Sequence, residues 1–317
     1  MKEHFKEIDV IKGIAILLVI LGHSFCTFPI DLYNEFPIFG MVVRSFQMPL
    51  FFVASGFLFS MRGGWESLIK KKTIRLLVPY LSFGVLSFIL KCISSSFTRN
   101  GNIEFTDFLL NLLNGGSYWF LYTLLIIMFI VQLIGRYGYN ALNIIAILCI
   151  SLCLFTDIRT LGVMTLGKVI YYLPFFVLGI TIKRWYSDIL SIFKRKQFIL
   201  CATTLLLFLF FLFMNIGTEY IVPLTGIMTV WVFSKILTEY SKKVSSFLMH
   251  FGKYSLQYYL NHLLIMLPFY YIAGQIYQIS PIFSLLLIFV GATTVSYIML
   301  KIESRHKILR TMCGLSR

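Results

Sequence analysis

Ile8-Asp9-Val10-Ile11-Lys12-Gly13-Ile14-Ala15-Ile16-Leu17-Leu18-Val19-Ile20-Leu21-Gly22-His23-Ser24 is the stretch that decides the fold. Between Lys12 and His23 it is apolar without a charge, and as a segment over 8–28 it is long enough to cross a hydrocarbon core of about 30 Å as a helix. Lys2, Lys6 and Lys12 before the apolar run imitate a secretory leader. No small-x-small cleavage site follows, and polar residues recur at helical spacing, so the segment reads as a retained first helix.

Nine further apolar runs follow, at 37–60, 74–96, 117–135, 141–157, 168–183, 197–214, 219–238, 252–273 and 281–301. Runs 141–157 and 168–183 are short for a perpendicular crossing, which suits a tilted or re-entrant element. The composition agrees: 58% of the 317 residues are hydrophobic and 13% charged, with a mean hydropathy of +0.84. A soluble domain typically carries about 25% charged residues, and too little polar surface remains here to cover its outside. The expected fold is therefore all-α: a polytopic membrane helix bundle of about ten transmembrane helices, forming a single domain over 1–317. Pro49, Pro79, Pro174, Pro223 and Pro268 fall inside runs, where neighbouring helices can re-satisfy the backbone.

The net charge of +15 is spread over short loops between apolar runs, which favours headgroup contact and membrane orientation over nucleic acid. Arg62 and Lys70–Lys72, then Arg184 and Lys194–Lys196, then Lys242 and Lys243, then the tail from Arg305 all fall on one side of a ten-span arrangement. That side is expected to be cytoplasmic, with both termini on it and the chain in the cytoplasmic membrane. Arg44, Arg99, Arg159 and Lys168 fall opposite, with the acids Asp31, Glu35, Glu104, Asp107, Asp157 and Glu219. The longest outer loop, 97–116, reads as a surface segment, a lid or a plain connector. Six scattered cysteines, Cys149 and Cys153 among them, read as buried free thiols.

Ionisable residues inside a membrane are expensive and default to functional candidates. Lys12 and His23 are eleven residues apart, about 1100° of rotation and so within roughly 20° of three turns; they share a face about 16 Å apart along the axis. Asp9 lies within about 40° of the same stripe. An imidazole is suited to drawing a proton from a hydroxyl near neutral pH, although a structural histidine bonded to a neighbouring helix fits the same position. Lys72 and Arg75, one turn apart before Leu76-Leu77-Val78-Pro79-Tyr80, either clamp phosphates of a nucleotide-bearing donor or simply orient the chain. Arg44 either holds a glycan or an anionic substrate group or snorkels to headgroups. Trp119, in Tyr118-Trp119-Phe120-Leu121, belongs to an interfacial belt or stacks on a sugar face. His262 places a second imidazole at mid-depth, bonding the first helix, lining a substrate tunnel or capping a polar contact. Neither histidine belongs to a ligand cluster of known spacing, so no metal site is expected.

In this order the segments resemble the bacterial membrane acyltransferase 3 family, which includes O-acetyltransferases of surface polysaccharides. The likeness spans nearly the whole chain. It rests on Lys12 and His23 with ten residues between them, on Met48-Pro49-Leu50-Phe51-Phe52 followed by Ser55-Gly56-Phe57, and on Lys72 and Arg75 before Leu77-Val78-Pro79-Tyr80. Trp119-Phe120-Leu121 and Gly252 through Leu256 leading to His262 complete it. The resemblance implies a ten-helix core, an acyl-CoA donor (acetyl-CoA the first choice) entering from the cytoplasm as co-substrate, and no bound cofactor. It also implies a surface-glycan or lipid-linked sugar acceptor across the membrane. His23 is implied as the catalytic residue with Lys12 in support, and Lys72 and Arg75 as the donor-binding pair, which is two arginines in most members. Gln47 stands where many members carry histidine, and the soluble esterase-like domain fused to some members is not expected here. A glycan transporter or flippase is the alternative, opposed by the lack of an inverted repeat and of a chain of intramembrane acids. A scaffold in a polysaccharide-synthesis complex is a third.

Overall fold

A chain in an apolar surrounding must satisfy its own backbone N–H and C=O groups, and a helix does so within one segment. All ten apolar runs accordingly form helices in the computed structural model, which describes residues 5–25, 30–61, 64–93, 105–161 and 165–315. They are α1 (Lys6–Ser24), α3 (Pro37–Leu58), α5 (Ile74–Ile93), α7 (Trp119–Ile134), α8 (Tyr139–Phe155), α9 (Leu166–Arg184), α10 (Tyr186–Phe213), α11 (Ile221–Tyr240), α13 (Ser255–Ile276) and α14 (Pro281–Arg305). Shorter helices α2 (Leu32–Glu35), α4 (Gly64–Ser67), α6 (Phe105–Leu113), α12 (Lys242–Lys253) and α15 (Lys307–Met312) connect or follow them. The described residues contain no strand.

Six stretches are long and apolar enough to cross a membrane: Pro37–Leu58, Phe105–Tyr137, Leu166–Arg184, Lys196–Phe213, Ile221–Tyr240 and Pro281–Arg305. Ile74–Leu90 and Tyr139–Phe155 are shorter apolar helices. α1 and α13 reach membrane length but carry the polar residues, Asp9, Lys12 and His23 on one and Gln257, Asn261 and His262 on the other. The chain is an all-α membrane bundle.

Three segments read as basic loops are more ordered than that. Residues 61–73 include α4 and a π-helical turn, Leu68–Thr73, that runs into α5. The 184–196 segment starts α10, whose helix kinks at Lys196 (φ −143°, ψ 33°) before its apolar part. The 239–251 segment is mostly α12, because Ser245, Leu248, Phe251 and Gly252 recur at helical spacing and are buried. The start of the 97–116 loop, with Arg99 and Glu104, lies outside the described residues, as do Arg62 and Arg317.

Close contacts divide the chain into two units: Met1–Phe57 with Gly179–Tyr297, and Leu58–Leu178 with Ile298–Arg317. In the first, α1 is buried on nearly every side, against α11, α12 and α13. Its approach to α12 is backbone to backbone. A Cβ on Gly13 would stand 2.0 Å from the Leu248 carbonyl oxygen, and one on Gly252 would stand 1.7 Å from that of Asp9. Small residues at such crossings let membrane helices meet closely. In the second unit α5 packs against α6, α7 and α15, and the Tyr80 hydroxyl donates to the Leu112 carbonyl at the end of α6.

Candidate active site in the first unit

The last carbonyls of a helix have no partner within it, and in a membrane they need one. At the end of α1 two other helices supply it. Arg44, on α3, donates from Nη2 to the Gly22 oxygen at 3.1 Å and the Phe25 oxygen at 2.8 Å. Tyr270, on α13, donates from its hydroxyl to the His23 carbonyl oxygen at 2.9 Å. The backbone of His23 is thus pinned from both sides while its side chain is exposed. Arg44 also lies 4.7 Å over the Tyr33 ring, so its guanidinium caps α1 and stacks at the α2–α3 corner.

His262 is fully buried, with its ring centroid 5.2 Å from that of His23 at a 47° tilt. Its Nδ1 lies 3.0 Å from the Tyr258 carbonyl oxygen, one turn back on α13. A carbonyl only accepts, so Nδ1 carries the hydrogen, and in the neutral ring the Nε2 lone pair is left as an acceptor. That Nε2 is buried and has no partner among the described residues. Gln47 supplies a second such atom. It packs onto Gly22, where a Cβ would stand 2.7 Å from its Oε1, and that oxygen is also buried without a partner. Buried polar groups are rarely left unmet in native proteins. Both want a donor, which a substrate hydroxyl or the His23 N–H can supply.

Lys12 lies three turns down α1 from His23 and pairs with Asp9 at 3.7 Å. The first unit therefore gathers His23, His262 and Arg44, with Lys12 at the far end of the same helix. Lys72, Arg75 and Trp119 belong to the second unit. Lys72 places its ammonium 3.7 Å over the Phe59 ring, and Arg75 is exposed in the first turn of α5. Trp119 stacks on Tyr172 (5.4 Å, 26°), with the Lys168 ammonium 4.5 Å over its ring. Within that unit Lys72 and Trp119 are not brought together. Trp65 stacks on Phe129 and Gln132 bonds the Met61 oxygen, so the segment leading to Lys72 meets the far end of α7 from Trp119.

Sequence reasoning missed Tyr270 and the orphaned Gln47 oxygen. Nothing in a tyrosine 247 residues away announces a bond to His23, whereas the polar Gln47 inside an apolar helix was a visible signal. The outer acids prove partly structural. Asp31 caps α2 through the Asn34 backbone and side chain, at 3.1 and 2.6 Å. Glu35 accepts from the Tyr277 hydroxyl at 2.7 Å, which holds that phenol above its ordinary range.

The fold defines a polytopic helical membrane protein whose first unit brings two histidines together. The chain belongs to the acyltransferase 3 family: the model described as an acyltransferase domain matches residues 5–301. It is also similar to nodulation protein NolL of Sinorhizobium fredii (strain NBRC 101917 / NGR234), with 29% identity over 182 residues, 54% of this chain. The match takes in 46% of that relative, so the chain spans under half its length. No solved structure matches. Family membership places the chain among acyltransferases.

Proposed function

We propose that this protein moves an acyl group, acetyl in the simplest case, from cytoplasmic acyl-CoA to a hydroxyl of an extracytoplasmic glycan of the capsule, exopolysaccharide or O-antigen type. The observation that carries the reading is His23: an exposed imidazole on a pinned backbone, bordered by two buried acceptors, in a chain of the acyltransferase family. Lys72 and Arg75 suit the donor's phosphates by charge, and Arg44, Trp119 and His262 are the acceptor-side candidates.

In one route the sugar hydroxyl gives its proton to a His23 ring nitrogen as its oxygen attacks the thioester carbonyl. The C–S bond breaks, and the CoA thiolate leaves and takes up a proton. In the other, a His23 ring nitrogen attacks the thioester carbonyl, the C–S bond breaks and the CoA thiolate leaves with a proton; the sugar oxygen then attacks the acyl-imidazole, its proton passing to the ring nitrogen that is released. In either, the lone pair of His262 can take an N–H from His23 and fix which nitrogen faces the substrate, while Gln47, which does not titrate, can only orient. Lys12, paired with Asp9, supports the helix that carries His23. The site lies in the cytoplasmic membrane, with both termini inside.

Proteoliposomes of the full chain, given radiolabelled acetyl-CoA outside and de-esterified surface glycan within, test this directly. Transfer that needs His23 is the expected result. Equal transfer by His23→Ala at equal membrane abundance would sink the catalytic assignment.

A further inference from the structure

The second unit holds a cavity of about 650 Å³ between α5, α6 and the turn 115–118 that precedes α7, within the roughly 300–1,000 Å³ of small-molecule sites. Six polar side chains line it: Ser87 on α5, Asp107 and Asn111 one turn apart on α6, Asn114 and Ser117 beyond its end, and Lys168 on α9. Between them stand the rings of Tyr80, Phe88, Phe108 and Tyr118. Phe88 and Phe108 stack at 4.4 Å and 28°.

The wall beyond α6 is fixed by a turn. Gly115 and Gly116 have φ of +89° and +48°, and a Cβ on Gly115 would meet the Thr165 methyl at 2.5 Å. α6 runs back along α5, from Phe88 against Phe105 and Phe108 to Tyr80 against Leu112, and exposes Phe105, Leu109, Leu110 and Leu113. Its Asp107, Leu110 and Asn111 line the cavity.

We infer that this cavity binds the acceptor as a short segment of neutral or weakly acidic oligosaccharide, an inference that rests on the proposed acyl transfer to a glycan. A sugar hydroxyl both donates and accepts, so it suits a carboxylate, two amides and two hydroxyls converging on one space. The apolar face of a pyranose ring suits the aromatic plates between them. A lipid acyl chain has no hydrogen bond to offer the Asp107 carboxylate, the Asn111 amide or the Ser87 and Ser117 hydroxyls. A phosphate-rich nucleotide would meet a single lysine, whose ammonium lies over the Trp119 ring, in a lining that also holds a carboxylate and no arginine fork. In the proposed topology the cavity opens on the extracytoplasmic side, where the glycan is. The outer acid of consequence is then Asp107 and not Asp31 or Glu35, which are engaged locally.

The test uses the full chain in nanodiscs and, as probe, size-fractionated oligosaccharides from the native host's surface polysaccharide after mild alkaline de-esterification. Binding is compared for wild type, Asp107→Asn with Asn111→Ala, the cavity-filling Ser87→Trp, and His23→Ala. Monodisperse elution and melting temperature check that each variant folds. Both cavity variants should bind roughly tenfold or more weakly, with His23→Ala close to wild type. Undiminished binding by folded cavity variants, in a preparation whose wild type transfers acyl groups, overturns the cavity while leaving the enzyme reading intact. Variants that shed co-purified phospholipid yet keep oligosaccharide affinity make the cavity a lipid site and also overturn it. Binding that depends on Asp107 and Asn111 in a wild type without transferase activity keeps the glycan site and discards the enzyme reading.

Discussion

His23 and His262 look alike in sequence, yet their surroundings separate them. One is exposed on a pinned backbone, and the other is buried with its tautomer fixed by the Tyr258 carbonyl. Positioned general bases contribute typically 10²–10⁴-fold to rate, so His23→Ala should lower transfer by about that factor without loss of protein from the membrane. Radiolabel incorporation normalised to blotted abundance measures it. His262→Asn keeps a donor for the Tyr258 carbonyl only if it can reach, and it removes the lone pair facing His23. Its transfer rate should fall while acyl-CoA KM stays near wild type, read from initial rates. Arg44 was open to two roles in the sequence, and its donors meet the carbonyls that end α1. Arg44→Ala should therefore destabilise the fold by about 1 kcal/mol, in line with a hydrogen bond to a charged group that is partly exposed. Arg44→Lys should recover part of it in thermal melts.

α12 is where helix-scale reasoning departs from hydropathy. A run that begins Lys242-Lys243 and ends Lys253 has no membrane-spanning signal, yet it lies against α1 through Gly13 and Gly252. A methyl at Gly252 would overlap the Asp9 oxygen. Overfilled contacts typically cost about 1–3 kcal/mol, so Gly252→Ala should lower the melting temperature, and larger residues should reduce the yield of folded protein in size-exclusion runs. α12 also carries His250, which is held below the ordinary imidazole value by burial, with Lys253 adding to it. Tyr258 bonds its Nε2 at 3.3 Å. A depressed native value means that the unfolded chain binds the extra proton first. The contribution to stability is then complete above about 6.5, the unfolded value, and lost as pH falls below it. His250→Gln should flatten the acid limb of a melting-temperature profile between pH 7 and pH 5.

At the scale of the whole molecule, the ten expected spans correspond to ten helices: six qualify by length and apolarity, two are shorter and apolar, and two carry the polar site. The charge pattern predicts both ends on the cytoplasmic side. In a background with native cysteines replaced, Lys6→Cys and Ser304→Cys should react with an impermeant maleimide only after the membrane is opened, and Asn34→Cys in intact spheroplasts. Labelling of Lys6→Cys from outside would reverse the topology and with it the side assigned to donor and acceptor.

The sequence by itself determined the helical membrane class and the family, because hydropathy and ordered motifs are local properties that need no neighbour. It also determined the alignment of Lys12 with His23, since helical spacing fixes which residues share a face. It could not settle which helices lie against which. Tertiary structure decided that α12 docks on α1, that Arg44 and Tyr270 bind the carbonyls beside and of His23, and that His262 and Gln47 bring unmet acceptors beside the end of α1. It also decided that polar and aromatic side chains from α5, α6, the turn before α7 and α9 line one cavity. The physical reason is range. Burial propensity and periodicity are written along the chain, whereas a hydrogen bond between residues hundreds of positions apart exists only once the helices that carry them have met.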